Sequence, residues 1–325
     1  MKKKFALLLV GLLSLGLLVS CSDANEPEVT KEIKVVVPDG LPSMATAKVM
    51  KEKPEILKGY NLSYSIEKTP ENIVSEVLKG EADIAVVPSN VAATQYNKEA
   101  GYQIAGTVGW GSFYLVSTEG EKKIDDLKSQ EVYNIGKGLT PDIVTKSVLK
   151  DKGFDPEKDF NFSYLNGVTE LAPTILAGKA KYAVLPEPAL SQVLSKKSDL
   201  KVVMDLNEEW KSANDSKYGF PQATIIIKKE LIANDKKFVD KFLKEIEESC
   251  IFANEKKDDL ATYSEEIGVS ANKAIIPAAI EKANIKYVGI KDSYKEYETY
   301  FNKLNDFDPK TIGGKIPDEG IFMEK

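Results

Sequence analysis

Residues 34–92 recur 98 positions later as residues 132–190, in one register and without a gap. Along that offset the identities are Gly40/Gly138, Leu41/Leu139, Lys48/Lys146, Ser65/Ser163, Leu78/Leu176, Gly80/Gly178, Ala82/Ala180, Ala85/Ala183, Val86/Val184 and Pro88/Pro186. Their placement persuades more than their number, because turn glycines align and the run from Val77 to Pro88 keeps step with the run from Ile175 to Pro186. A period this long is no solenoid repeat. It predicts two similar α/β lobes, and a pair of lobes makes a cleft.

Both copies read alike. An apolar strand (Ile33 to Val37; Val132 to Ile135) leads into a glycine-bearing turn and a helix start, marked in the second copy by Thr140, Pro141 and Asp142. A second strand (Leu62 to Ile66; Phe160 to Tyr164) precedes a helix (Asn72 to Lys79; Glu170 to Ala177). That helix stops at Gly80 or Gly178, where a left-handed turn is needed. A third strand ends the unit (Ile84 to Val87; Tyr182 to Leu185). This alternation predicts a mainly parallel sheet flanked by helices in each lobe. Ligands sit at the carboxyl ends of such strands, near helix N-termini. The repeat therefore nominates the loops Asp39 to Met44, Lys137 to Asp142, Ser89 to Val91 and Glu187 to Ala189 as borders of one crevice.

The N-terminus suggests a compartment. Lys2 to Lys4 precede an apolar stretch, Phe5 to Val19, that is shorter than the ~20 residues needed to span a bilayer. Leu18-Val19-Ser20-Cys21 resembles a bacterial lipobox, which makes Cys21 the expected site of lipidation, residues 1–20 a signal peptide and residues 21–31 a polar tether. Membrane attachment is then through lipid alone. Cys250 is the only other cysteine, so no disulfide is expected, and its helical spacing with Phe238, Phe242 and Ile246 marks it as core.

Composition narrows the chemistry. There is no histidine, and no arginine occurs anywhere in the chain. That removes histidine-dependent triads, histidine metal sites and the bidentate guanidinium fork for anions. No P-loop is present, and Gly136-Lys137-Gly138 lacks the third glycine of a dinucleotide fingerprint. Fifty acidic residues against 44 basic ones give a net charge of −6, which argues against nucleic acid as a partner. No cofactor and no metal are expected.

The lipobox, the duplicated α/β body, the phrase from Leu78 to Asn90 (LKGEADIAVVPSN) and the phrase from Ala183 to Ala189 (AVLPEPA) resemble the substrate-binding lipoproteins of ABC importers. Within that group they are most similar to the nitrate, sulfonate, taurine and thiamine-pyrimidine-precursor family. The resemblance implies a type II periplasmic-binding fold, with lobe I formed by 32–115 plus 216–325 and lobe II by 116–215. It also implies a small-molecule ligand in the cleft, an ABC permease with its ATPase as partners, a monomer, and an extracytoplasmic, lipid-anchored location. Crossings between lobes are expected near Ser112 to Glu119 and Tyr218 to Ile227. The segment Tyr287 to Tyr300 is expected to be a surface helix on the first lobe.

Candidate ligand contacts come from the nominated loops and the crossings: Leu41, Ser43, Met44, Ser89, Asn90, Trp110, Phe113, Gly138, Thr140, Glu187, Tyr218 and Phe220. Gln222 alternates with Phe220 on the return segment. Ser89, Asn90 and Thr140 also suit helix capping. Trp110 between two glycines suits stacking, and Glu187 between two prolines offers a stiffly held carboxylate. Together these suit a flat nitrogen heterocycle; a sulfonate or nitrate is the alternative, bound through helix N-termini. Other classes with this fold are enzymes of pyrimidine or menaquinone-precursor metabolism and sensory lipoproteins without a transporter. If Cys21 carries the only anchor, Cys21→Ser moves the protein into the soluble fraction on cell fractionation. A variant that stays membrane-bound means the apolar leader is retained.

Overall fold

The computed structural model describes residues 30–324; the leader, Cys21 and most of the tether lie outside them. The strands are β1 (Lys31–Pro38), β2 (Tyr60–Glu67), β3 (Ile84–Pro88), β4 (Tyr102–Trp110), β5 (Phe113–Ser117) and β6 (Glu131–Ile135). They continue with β7 (Asn161–Leu165), β8 (Tyr182–Pro186), β9 (Lys201–Asp205), β10 (Pro221–Lys228) and β11 (Ile285–Gly289). They form two sheets, ordered β11-β4-β10-β3-β1-β2 and β7-β6-β8-β5-β9. Read from β2 and from β7, the first five positions correspond. In each sheet the strand that arrives from the other lobe, β10 or β5, lies antiparallel beside the third strand of the repeat.

The duplicated helices end in the same way. After the helix Pro70–Leu78, Gly80 N donates to Val77 O and Glu81 N to Glu76 O; after Val168–Leu176, Gly178 N donates to Ile175 O and Lys179 N to Thr174 O. Both glycines have positive φ, 66° and 71°, which the reversal requires. The ungapped repeat needs one correction. Val35 pairs with Ile84 and Tyr64, whereas Val132 pairs with Tyr182 and Phe162, so β6 matches β1 at an offset of 97. The turn after β6 is one residue longer. A one-residue slip exchanges the faces of a strand, which explains why Val36 shares a core with Ile73 and Val77 while Tyr133, not Asn134, packs with Leu171 and Ile175.

The chain leaves the first sheet at Trp110 and enters the second at Phe113; it returns between the helix Leu206–Asn214 and Pro221. Where the two crossings pass, Gly111 N donates to Phe220 O over 3.1 Å. Asn207 fills the space beside them, donating from Nδ2 to Tyr218 O (3.2 Å) and accepting Phe220 N–H at Oδ1 (3.3 Å). A Cβ on Gly111 would lie 2.3 Å from Asn207 Oδ1, and one on Gly219 only 1.8 Å away.

The C-terminal helix, Ile290–Phe307, departs from expectation. It is not confined to the first lobe. Tyr297 OH meets Thr107 Oγ1 (2.6 Å) and Thr224 Oγ1 (2.8 Å) in the first lobe, while Tyr300 OH meets Thr140 Oγ1 (2.9 Å) and Lys303 pairs with Asp151 in the second. Its aromatic face is buried, with Tyr297 and Tyr300 fully covered, and that face is long enough to reach across both lobes. Cys250 lies in the core as expected, its Sγ 3.7 Å from Ala45 O. Among the described residues no helix is long and apolar enough to cross a membrane.

Gly219 combines a φ of +96° with the Asn207 contact. Gly219→Ala should therefore cost about 1–3 kcal/mol or more of stability, read by denaturant unfolding. An unchanged midpoint would show that the crossing yields easily.

Candidate ligand-binding cleft

A cavity of about 280 Å³ opens between the sheets, near the lower end of small-molecule pockets. One wall comes from the first lobe: Pro38, Leu41 and Pro42 after β1, Val87, Pro88, Asn90 and Val91 around the end of β3, and Gly109, Trp110, Gln222 and Ala223 from the central strands. The other comes from Phe113 at the start of β5 and from Leu139, Thr140 and Pro141. Leu139 is 52% exposed, an apolar side chain left for something to cover. No lysine, aspartate or glutamate is among the lining residues. A larger groove of about 520 Å³ lies beside Lys146, Lys150 and Lys303; Lys146 pairs there with Glu157 and Lys303 with Asp151.

Of the sequence candidates, Leu41, Asn90, Trp110, Phe113 and Thr140 meet at this cavity. Trp110 is anchored by Nε1 donating to Lys286 O (3.1 Å), and its ring packs on Tyr218 with centroids 5.0 Å apart. Tyr218 thus backs the tryptophan and is not itself a lining residue. Phe220 is fully buried between Phe113 and Trp210, with centroids 5.8 and 5.5 Å away.

The remaining candidates point elsewhere. Ser43 donates to Pro38 O, and Met44 is wholly core. Ser89 is buried against Thr224 and shares a hydroxyl hydrogen bond with it. Gly138 uses its N–H on Asp142 Oδ2 (2.8 Å). Its neighbour Lys137, which is not among the candidates, sits over the Tyr164 ring, 5.4 Å from its centroid.

The capping expectations for Ser89, Asn90 and Thr140 also change. The helix Ser89–Asn97 is capped from Pro88 and the helix Thr140–Asp151 from Leu139, neither with a side-chain cap bond. The freed polar groups join the lobes: Thr140 Oγ1 donates to Asn90 Oδ1 (3.2 Å) and meets Tyr300 OH. Residues that sequence reasoning missed are mainly the prolines and Leu139. Pro42, Leu139 and Pro141 lie inside the nominated loops without being singled out there, and Pro38 and Pro88 flank them; the prolines' fixed backbone shapes the wall.

Glu187 is the largest correction. It does not line the cavity. It is 3% exposed, and its carboxylate accepts Ser191 N–H (3.2 Å) and Ser191 Oγ–H (2.9 Å). Burial pushes its pKa from 4.5 up to about 7, against the pull of Ser191 and Lys282. The unfolded chain therefore releases this proton first. Stability falls as pH climbs from about 4.5 to about 7 and then levels off. Glu187→Gln keeps an oxygen for Ser191 and does not titrate. Relative to the parent it should gain on the order of 3 kcal/mol between pH 4.5 and pH 8. Melting curves across that range test this; a pH-independent difference would count against it.

Two mixed sheets, two crossings and a cleft at the strand ends define the class: a two-lobed periplasmic-binding-protein fold. The family described as menaquinone biosynthesis matches residues 57–308, and the chain belongs to that family. It is also similar to an ABC transporter structure from Parabacteroides distasonis, with 30% identity over 91% of this chain and 99% of that one and a TM-score of 0.80. The Escherichia coli periplasmic aliphatic sulphonate-binding protein shares the fold at 13% identity, covering 87% of this chain and 90% of its own, with a TM-score of 0.69. The nitrate-binding protein of Synechocystis PCC 6803 does so at 13% identity, covering 90% and 87%, with a TM-score of 0.65. No curated protein matches the chain.

Proposed function

We propose that this chain is the solute-binding component of an ABC importer, taking a small, flat, uncharged ligand into the cleft between its lobes and presenting it to a membrane permease. The observation that carries this reading is the lining itself. Its walls are apolar, Trp110 and Phe113 supply aromatic surface, and its polar side chains are two amides and one hydroxyl. Such a site holds a molecule well and offers no side chain of its own for proton transfer. The similarity to the Parabacteroides ABC transporter structure supports the same class.

The cleft suits sulfonate or nitrate poorly, since no lining cation is present. We keep a flat ring as the proposed ligand, stacked on Trp110 and without a charge from Glu187, which lies outside the lining. A second reading, an enzyme acting on a menaquinone precursor, is favoured by the family match over residues 57–308.

Mass spectrometry of small molecules released from the denatured purified protein separates these readings. The expected result is a compact neutral ring compound that rebinds and is recovered unchanged. Trp110→Ala should weaken that rebinding by about 2–4 kcal/mol through lost burial and stacking. Recovery of a converted product would establish the enzyme instead, and recovery of a sulfonate or nitrate would remove the neutral-ligand reading.

A further inference from the structure

The polar side chains of the cleft are committed in one direction. Gln222 is the extra residue of a β-bulge, since Pro221 pairs with Trp110 and Ala223 with the adjacent Gly109. Bulges re-aim a side chain, and they gather beside functional sites. Gln222 Oε1 accepts from Ser112 N (2.9 Å) and from Ser112 Oγ (3.2 Å). A backbone N–H only donates, so the amide orientation is fixed: oxygen toward the crossing, nitrogen away from it. Among the described residues no hydrogen bond is made by Nε2, and Gln222 lines the cavity.

The other two polar side chains follow the same logic. Thr140 gives its one hydroxyl proton to Asn90 Oδ1, so Tyr300 donates to Thr140. Asn90 Nδ2 reaches Thr311 O only at 3.5 Å. Every side-chain oxygen of the lining already accepts a hydrogen bond, while amide protons remain on offer.

We propose that Gln222 is the specificity-determining donor of the cleft, and that the ligand is a flat, uncharged ring compound carrying a carbonyl-type acceptor; this deepens the solute-binding reading above and rests on it. Ser112 acts through Gln222 as a positioning residue. Gln222 is half-buried, so a ligand that covers it also strips water from its Nε2; an analogue without the acceptor then leaves that donor unpaired and is discriminated against.

Matched probes test this by titration calorimetry: 1-indanone, indane (the same skeleton without the carbonyl) and benzenesulfonate. The unmodified protein should prefer 1-indanone over indane by about tenfold. Gln222→Glu keeps an oxygen for Ser112 and removes the donor; it should bring the ratio of the two neutral-probe affinities to about one. Gln222→Met, which introduces no charge, should do the same if the glutamate variant folds poorly. Equal affinity for the two neutral probes, binding of neither, tightest binding of benzenesulfonate, or a preference that survives both substitutions would overturn the proposal. The solute-binding reading is judged separately, by whether the native protein releases a small molecule unchanged, so each can fail without the other.

Discussion

The hydrogen bond from Gly111 N to Phe220 O fixes where one lobe stands against the other. Two chain segments cross there in opposite senses, and the Asn207 amide occupies the volume that side chains at 111 and 219 would need. The glycines are therefore demanded by packing at one position and by both packing and backbone sign at the other. Each crossing strand then continues into the middle of the sheet it joins, β5 beside β8 and β10 beside β3. Movement of the crossing would have to disturb central strands of both sheets. The cavity walls inherit their separation from that constraint, because Trp110 and Phe113 stand on either side of it.

Around this pivot the lobes are joined by a shared apolar core under the C-terminal helix and by polar bonds. Asn90 and Thr140 meet across the cleft, Tyr300 supports Thr140 from the C-terminal helix, and Tyr114 OH donates to Lys282 O (2.8 Å). Net contributions of such bonds are about 0.5–1.5 kcal/mol each. A ligand that covers Leu139 and the aromatic walls adds apolar burial worth roughly 25 cal/mol per Å², a comparable sum.

The repeat made the fold legible because it records local necessities: the glycine that ends a helix, the apolar strand that follows, the proline that closes it. Gly80 and Gly178 show this, with the same pair of capping bonds in both copies. The one-residue slip at β6 left only a short trace: the ungapped alignment sets Lys34 against Val132 and Val36 against Asn134, whereas an offset of 97 sets Val35 against Val132. Helix starts were misread for a related reason. Ser89, Asn90 and Thr140 have the chemistry of caps, but Pro88 and Leu139 take those positions, and tertiary partners claim the side chains. Glu187 shows the limit of local reading most clearly: flanking prolines mark its backbone, and only packing decides that its carboxylate turns to Ser191. The C-terminal helix was visible as amphipathic, yet which surface its aromatic face covers is a long-range fact.

The family match and the fold neighbours pull in different directions, one toward metabolism and the other toward transport, and the chemistry of the cleft bears on which applies. Acid–base catalysis needs a titratable group within hydrogen-bond reach of the reacting atom. Glu187 is the buried carboxylate with the pKa for such work, but its two oxygens are held by Ser191 and it lies outside the cavity lining. Tyr300 sits behind Thr140, and burial pushes its phenol above the ordinary tyrosine range. Binding asks nothing more than the lining already offers: shape, aromatic surface and an oriented amide.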